Sequence, residues 1–356
     1  IFSIEYERIK SIMAYTTINK STTNFNTKLY TGTGSSNAVT GVGFKPDLVW
    51  LKKRSAADNH YLFDVVRGAT KYIRSNLTSA EATDPGSLSA FGSDGFTVVS
   101  EGDINANGAT MASWNWKAGT SVSGNTTGSG TYKPYTGSVN TTSGFSIIRY
   151  TGNGSAGHTI PHRLGAAPTF RITKNTSIAD WACYMEVLGN TKEMKLSTNA
   201  VAGNTTNYWN STSPNATNFT LGTNGISNGN NENYISYNFA PKQGYSKFGS
   251  YKGNGNANGT FVYTGFKPAF VIIKRTDVAN HWYMHDDKRL GYNSSNSYVK
   301  ANENSAESTT TDIDILSNGF KCISTGNGHN NGSGTYFYMA IGQSLVGSNN
   351  IPCTAR

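Results

Sequence analysis

The sequence predicts an all-β protein of three tandem β-sandwich units, jelly-roll or concanavalin-like, and three observations predict it. The first is a repeat. Gly43-Phe44-Lys45-Pro46-Asp47-Leu48-Val49-Trp50-Leu51-Lys52 returns as Gly265-Phe266-Lys267-Pro268-Ala269-Phe270-Val271-Ile272-Ile273-Lys274. A degraded copy, Leu164-Gly165-Ala166-Ala167-Pro168-Thr169-Phe170-Arg171-Ile172-Thr173-Lys174, lies between them. In each copy a proline, a run of strand-forming residues and a lysine follow in the same order, so the fold of one unit explains the whole chain. The second is composition: 14% of residues are charged, against roughly 25% in an ordinary soluble domain. Asn, Ser, Thr and Gly take the place of charged residues, which disfavours helices and favours turns between strands of Tyr, Phe, Val, Ile and Thr. Aromatic residues at 12% supply apolar surface for several small cores, which argues against disorder. The third is spacing: roughly seven strands in about 95 residues per unit, separated by turn signals, is a sandwich pattern.

Each unit opens with an aromatic strand and a glycine-rich turn: Tyr30-Thr31-Gly32-Thr33-Gly34, Tyr150-Thr151-Gly152-Asn153-Gly154 and Tyr251-Lys252-Gly253-Asn254-Gly255. Glycine supplies the positive φ of such turns. A second strand follows, then the proline, which cannot donate to a ladder and marks a strand entry or edge. The apolar strand ending at Lys52, Lys174 or Lys274 lacks alternation and is expected to be covered on both faces. A polar turn leads to an aromatic strand: Asn59-His60-Tyr61, Asp180-Trp181-Ala182 and Asn280-His281-Trp282 begin it. A long Ser/Thr/Asn/Ala loop precedes the next strand, which holds Gly95-Phe96, Phe219-Thr220 or Gly319-Phe320. The closing strands, which hold Trp114-Asn115-Trp116, Tyr237-Asn238-Phe239 and Tyr336-Phe337-Tyr338, alternate and are expected to have one core face and one wet face.

The units are assigned to 15–119, 144–243 and 244–344. Segment 120–143, almost all Gly, Ser, Thr and Asn, reads as a flexible linker. The short connection Gly244-Tyr245-Ser246-Lys247 implies that units two and three sit in fixed contact. Segment 1–14 reads as a non-native or disordered extension before or at Met13, and 345–356 as an extended tail.

The net charge of +9 comes from scattered Lys and Arg without a stripe, which argues against nucleic acid and fits either a soluble basic surface or salt-sensitive attraction to an acidic cell surface. Cys183, Cys322 and Cys353 have no pairing pattern; Cys183 and Cys322 lie in strand-like runs and read as buried thiols. No apolar run approaches the roughly 18 residues of a membrane span, and no signal peptide is evident.

Catalytic and metal constellations do not assemble. His281 and His285 are four apart, which in a strand separates them by about 13 Å. Asp286-Asp287 point to opposite faces, and Asp64 with Asp286 is assigned a turn or salt-bridge role. No nucleophile elbow or phosphate loop with its helix occurs, so no enzyme, metal or cofactor is expected. Aromatic rings stack on sugar faces while amides and carboxylates take hydroxyls, so the recurrent polar-then-aromatic positions are the glycan-binding candidates: Asn59, His60, Tyr61, Asp180, Trp181, Asn280, His281 and Trp282. The alternative for these rings is core packing, the role assigned to Trp50, Trp114 and Trp116.

Beyond the repeat itself, Asp64-Val65-Val66-Arg67-Gly68-Ala69, Phe91-Gly92-Ser93-Asp94-Gly95-Phe96, Trp114-Asn115-Trp116-Lys117-Ala118-Gly119, Gly244-Tyr245-Ser246-Lys247-Phe248-Gly249-Ser250-Tyr251 and Asn350-Ile351-Pro352-Cys353-Thr354-Ala355-Arg356 stand out. With these motifs the chain resembles a family of repeated domains in tail-fibre-like structural proteins of marine bacteriophages that infect cyanobacteria and pelagic α-proteobacteria. The resemblance implies a virion-surface location on tail fibre or capsid exterior, synthesis in the host cytoplasm, and contact with other virion proteins, with a homo-oligomer such as a trimer as assembly. The aromatic and amide-rich rim, with weak sites repeated on linked units to gain avidity, gives the expectation of adhesion to host polysaccharide or lipopolysaccharide, without membrane insertion. The alternatives are a purely structural spacer or capsid-decorating protein, and a glycan-cleaving depolymerase.

Overall fold

The computed structural model describes residues 15–177, 179–290, 293 and 296–346. The extension 1–14 and most of the tail, with Cys353, lie outside the described residues. The protein is all-β, and helix among the described residues is limited to the single turns Ser21–Thr23, Gly102–Asn105, Glu186–Leu188 and Gly225–Asn228.

Three consecutive segments each form a larger and a smaller antiparallel sheet, and the sheet pairings stay within a segment. In the first segment the larger sheet orders Phe25–Thr31, Thr110–Trp116, Leu48–Lys53 and Tyr61–Asp64. Its third-segment counterpart begins Ser246–Lys252, Thr335–Gln343, Lys267–Arg275 and Trp282–Leu290, and adds Asn296–Lys300 and Ser308–Thr310. The same order recurs in the second segment as Phe145–Thr151, Asn233–Phe239, Phe170–Asn175 and Trp181–Met185. Each smaller sheet has three strands, such as Asn37–Thr40, Gly95–Val98 and Leu88–Gly92.

Both faces of the larger sheets are buried. Val49, Leu51, Tyr61 and Phe63 turn toward the smaller sheet, in a core of the first segment alone. Leu48, Trp50, Trp114 and Trp116 turn the other way, into a core shared with Phe145, Phe170 and Trp181 of the second segment and Phe270, Trp282 and Phe337 of the third. The repeat strand Leu48–Lys53 is therefore covered on both sides, as its lack of alternation predicts. The closing strands correct the expectation of a wet face: Thr110–Trp116 and Asn233–Phe239 are buried at every position but the first. Their alternate residues Ser113, Asn115, Ser236 and Asn238 are polar yet buried, with hydrogen bonds such as Ser113 Oγ to the Lys28 carbonyl and Ser236 Oγ to Asn238 Oδ1. Alternation here separates two interiors rather than core from water.

Segment 120–143 is not a bare linker. Thr120–Asn125 and Pro134–Asn140 form a hairpin that extends the second segment's sheet beyond Phe145–Thr151. Small residues serve close approach there: a Cβ on Gly137 would meet the Ile147 carbonyl and the Ile148 side chain. The corresponding strands of the other segments, Phe25–Thr31 and Ser246–Lys252, remain sheet edges and carry Lys28, Lys247 and Lys252, the usual guard against edge pairing.

Candidate functional site

The expected glycan rim is an internal seam. Register pairs Lys174 with Trp181 and Lys274 with Trp282, while Leu51 pairs with Tyr61, so the counterpart of the two tryptophans is His60 rather than Tyr61. His60, Tyr61, Trp181 and Trp282 are all fully buried, which leaves no ring face for a sugar and corrects their assignment as glycan-binding candidates. Tyr61 packs in the first segment's own core. The others bridge segments in a cycle. Trp181 Nε1 donates to the carbonyls of Arg74 and Leu77, each at 3.1 Å, in the first segment. Trp282 Nε1 donates to the Lys195 carbonyl of the second at 3.1 Å. His60 Nδ1 accepts from Trp50 Nε1 at 2.9 Å, which leaves Nε2 to donate to the Lys300 carbonyl of the third at 3.0 Å.

The polar partners stay local. Asn59 Oδ1 accepts from Asn76, Asp180 meets Lys195 and Ser197, and Asn280 Oδ1 accepts from His281 N and Tyr283 OH. His281 faces Glu303, whereas His285 is buried against His329, so the two do not share a site. Among the described residues no three His, Cys, Asp or Glu side chains are grouped to hold a metal. Cys183 and Cys322 are free and buried.

The backbone repeats the cycle. Glu81 N donates to the Thr176 carbonyl, Ala202 N to Thr276 and Glu307 N to Arg54, at 2.8, 3.2 and 2.9 Å. Each acceptor lies two residues past its repeat lysine. Those lysines are fully buried, and their ammonium groups donate to carbonyls: Lys174 to Asn175 and Ala179, Lys274 to Arg275, Lys52 to Lys53. Desolvation pushes Lys52 and Lys174 down to about 8 and Lys274 to about 7.

An unfolded lysine keeps its proton to about 10.5, so between about pH 7 and 9 the unfolded chain binds more protons and stability rises with pH. Above about pH 9 the buried Cys183 and Cys322, and then the buried Tyr150, Tyr237 and Tyr251, keep protons that the unfolded chain releases, so the rise slows and then reverses. A Tm measured across this range should climb by a few degrees to an alkaline maximum, and Lys274→Met should flatten the climb. A maximum at or below pH 7 would contradict this account.

Buried ion clusters complete two of the seams. Arg67 Nε bonds Asp64 Oδ2 at 2.6 Å, with Glu81 at 3.4 Å. Arg289 Nε bonds Asp286 Oδ2 at 2.6 Å, with Glu307 at 3.2 Å. Each aspartate also accepts from a ring of a neighbouring segment: Tyr237 OH reaches Asp64 at 2.8 Å, and Trp114 Nε1 reaches Asp286 at 3.0 Å. The salt-bridge role expected for Asp64 and Asp286 is thus the observed one. By register, the second segment places Met185, Leu188 and Ala202 at these positions, and Met339 stands where the other segments have Tyr237 and Trp114. Donor and acid are absent together, and Met185 and Met339 belong to the shared apolar core.

The exposed aromatic site lies elsewhere, on the outer face of the third segment's smaller sheet, formed by Phe261–Tyr263, Gly319–Cys322 and Ile313–Leu316. Val262 points inward, while Phe261 and Tyr263 are 44% and 54% exposed, enough to leave a ring face in water. Two residues along a strand place them about 7 Å apart on one side. Register puts Lys321 and then Asp314 beside Phe261, and Gly319 beside Tyr263. Glycine at 319 matters, since a Cβ there would collide with the Val262 carbonyl oxygen and also meet the Phe261 ring. Lys247 Nζ donates to the Tyr263 carbonyl at 2.8 Å and lies 5.4 Å from its ring, and Lys321 Nζ is hydrogen-bonded to Asn258 of the Asn-rich loop 254–258. Burial raises the Asp314 carboxyl, whose Oδ1 has no hydrogen-bond partner.

Register equates Phe261 with Ala38 and Thr159, and Tyr263 with Thr40 and Pro161, so both rings belong to the third segment alone. A search for recurrent residues passes over such a pair. The available signal was the alternation Phe261-Val262-Tyr263 between glycines 259 and 265.

Residues 20–344 match a family described as a domain of unknown function, DUF7483. No curated protein and no solved structure matches the chain. The family match runs through all three segments, from the turn before Phe25 to the end of the last closing strand, and the chain belongs to the DUF7483 family.

Proposed function

We propose that this protein is a bacteriophage virion-surface adhesion protein, tail-fibre-like and non-catalytic, that binds host envelope glycans through Phe261 and Tyr263. The observation that carries the reading is the pair of exposed rings on one sheet face, flanked by Lys321, Asp314 and the Asn-rich loop. Rings of this kind stack on the apolar faces of sugars, and the amides and charges beside them orient hydroxyls. The three segments act as jelly-roll or concanavalin-like sandwiches that present this face, with other virion proteins as the attachment partners. Host polysaccharide or lipopolysaccharide is the receptor.

A purely structural role is the second reading, favoured by the shared core and the cyclic seams, which use the repeated residues for packing. Labelled protein incubated with host and non-host cells separates the two. Adhesion predicts host-selective binding that drops roughly tenfold in Phe261→Ala/Tyr263→Ala, about 1.4 kcal/mol, with Tm within a few degrees of the parent. Folded protein that binds no host cell would leave the structural reading standing.

A further inference from the structure

We infer that a cleft at the junction of the first and third segments binds a sulfate or phosphate group. The cleft has a volume of about 550 Å³, in the range of small-ligand sites. Its wall combines Lys20 before the first strand, Lys28 within it, the turn 41–43, and Lys288 from the third segment. Three lysines from two segments thus line one space, and no Asp or Glu is among its described lining residues.

The nearby acids are otherwise engaged. Asp94 accepts from Gly41 N at 2.9 Å and Gly43 N at 2.6 Å, which holds its carboxyl below the usual range, and Lys28 acts on it only through space. Asp287, beside Lys288, is raised by burial, with Lys288 acting against the rise. Asp94 stays ionised and offsets part of the Lys28 charge, so the cationic excess of the wall rests on Lys20 and Lys288.

One further feature fits an occupant. Gly41 has φ +79°, and a Cβ there would lie 2.9 Å from Lys28 Nζ, so the turn leaves room for that ammonium. Lysine binds such groups as a point charge, and charge-assisted bonds to sulfate or phosphate oxygens are the stronger kind. A neutral saccharide would gain nothing from three ammonium groups. The Asn26 amide already donates to the Val42 carbonyl and so adds no free donor.

The full chain should be titrated by calorimetry with inorganic sulfate, inorganic phosphate, a sulfated disaccharide and its unsulfated parent, at matched ionic strength. Sulfated disaccharide should bind at least about tenfold more tightly than the parent, and Lys28→Gln/Lys288→Gln should remove roughly that factor. Phe261→Ala/Tyr263→Ala should leave this binding intact, which separates the cleft from the aromatic face. Inorganic ions that bind as tightly as the disaccharide assign the cleft to the free anion; a clear preference for the disaccharide assigns it to the ester on a glycan. Equal binding of sulfated and unsulfated sugar, or full binding by a folded Lys28→Gln/Lys288→Gln variant, overturns the inference.

Discussion

Arg67→Leu should destabilise the protein by about 3–5 kcal/mol in urea unfolding, because it leaves the buried Asp64 carboxylate without its cation. The second segment shows how the same position is built without charge. Copying it, with Asp64→Met, Arg67→Leu, Glu81→Ala and Tyr237→Met together, should recover most of that loss, since Met185, Leu188, Ala202 and Met339 fill the equivalent place. Replacing a whole buried ion cluster by apolar groups of similar volume is often neutral, whereas removing one member is not. The contrast between single and quadruple variants is the test. A single variant that costs less than about 1 kcal/mol would show that water or a neighbouring group already compensates Asp64.

Trp282→Ala should cost about 3–5 kcal/mol, the range for deleting a large buried ring. Trp282 is fully buried in the shared core, and its indole nitrogen holds the Lys195 carbonyl of the second segment. Cell binding should fall only as far as the folded fraction falls. A Trp282→Ala protein with an unchanged unfolding midpoint and impaired binding would return the ring to the recognition surface. For Phe261 and Tyr263 the proposed role predicts the opposite profile, little loss of stability and a large loss of binding, so the two sets of variants calibrate each other.

The repeat made the three-part organisation legible, and Pro46, Pro168 and Pro268 with the lysines after them located the strand buried on both faces. Recurrence also led the site assignment astray. His60, Trp181 and Trp282 recur because each seam needs a ring nitrogen to reach the neighbouring segment, and a seam repeated three times looks in sequence like a site repeated three times. The polar residue before the ring had suggested hydroxyl recognition, but Asn59 bonds Asn76, Asp180 meets Lys195 and Ser197, and Asn280 accepts from His281 and Tyr283. The closing strands were misread for a related reason. Alternation reports that two faces differ, not that one is wet, and buried Ser and Asn pairs reproduce the pattern of a solvated face. In 120–143, glycine and threonine were taken as signs of flexibility, although close strand approach selects the same residues. Phe261 and Tyr263 escaped notice because they break the repeat.

The closed order of the seams has a consequence for how the chain gains its structure. In a linear array each module folds on its own contacts and passes order to the next, so unfolding can proceed from an end. Here the first segment leans on the third through His60 and Arg54, the second on the first through Trp181, and the third on the second through Trp282. No segment is terminal in that network. The contacts that complete the first segment come from residues synthesised some 240 positions later, as the bond from His60 to Lys300 records. Partly made chains therefore expose the inner faces of their larger sheets until the third segment arrives, and among the described residues no segment stands at an end of the seam network.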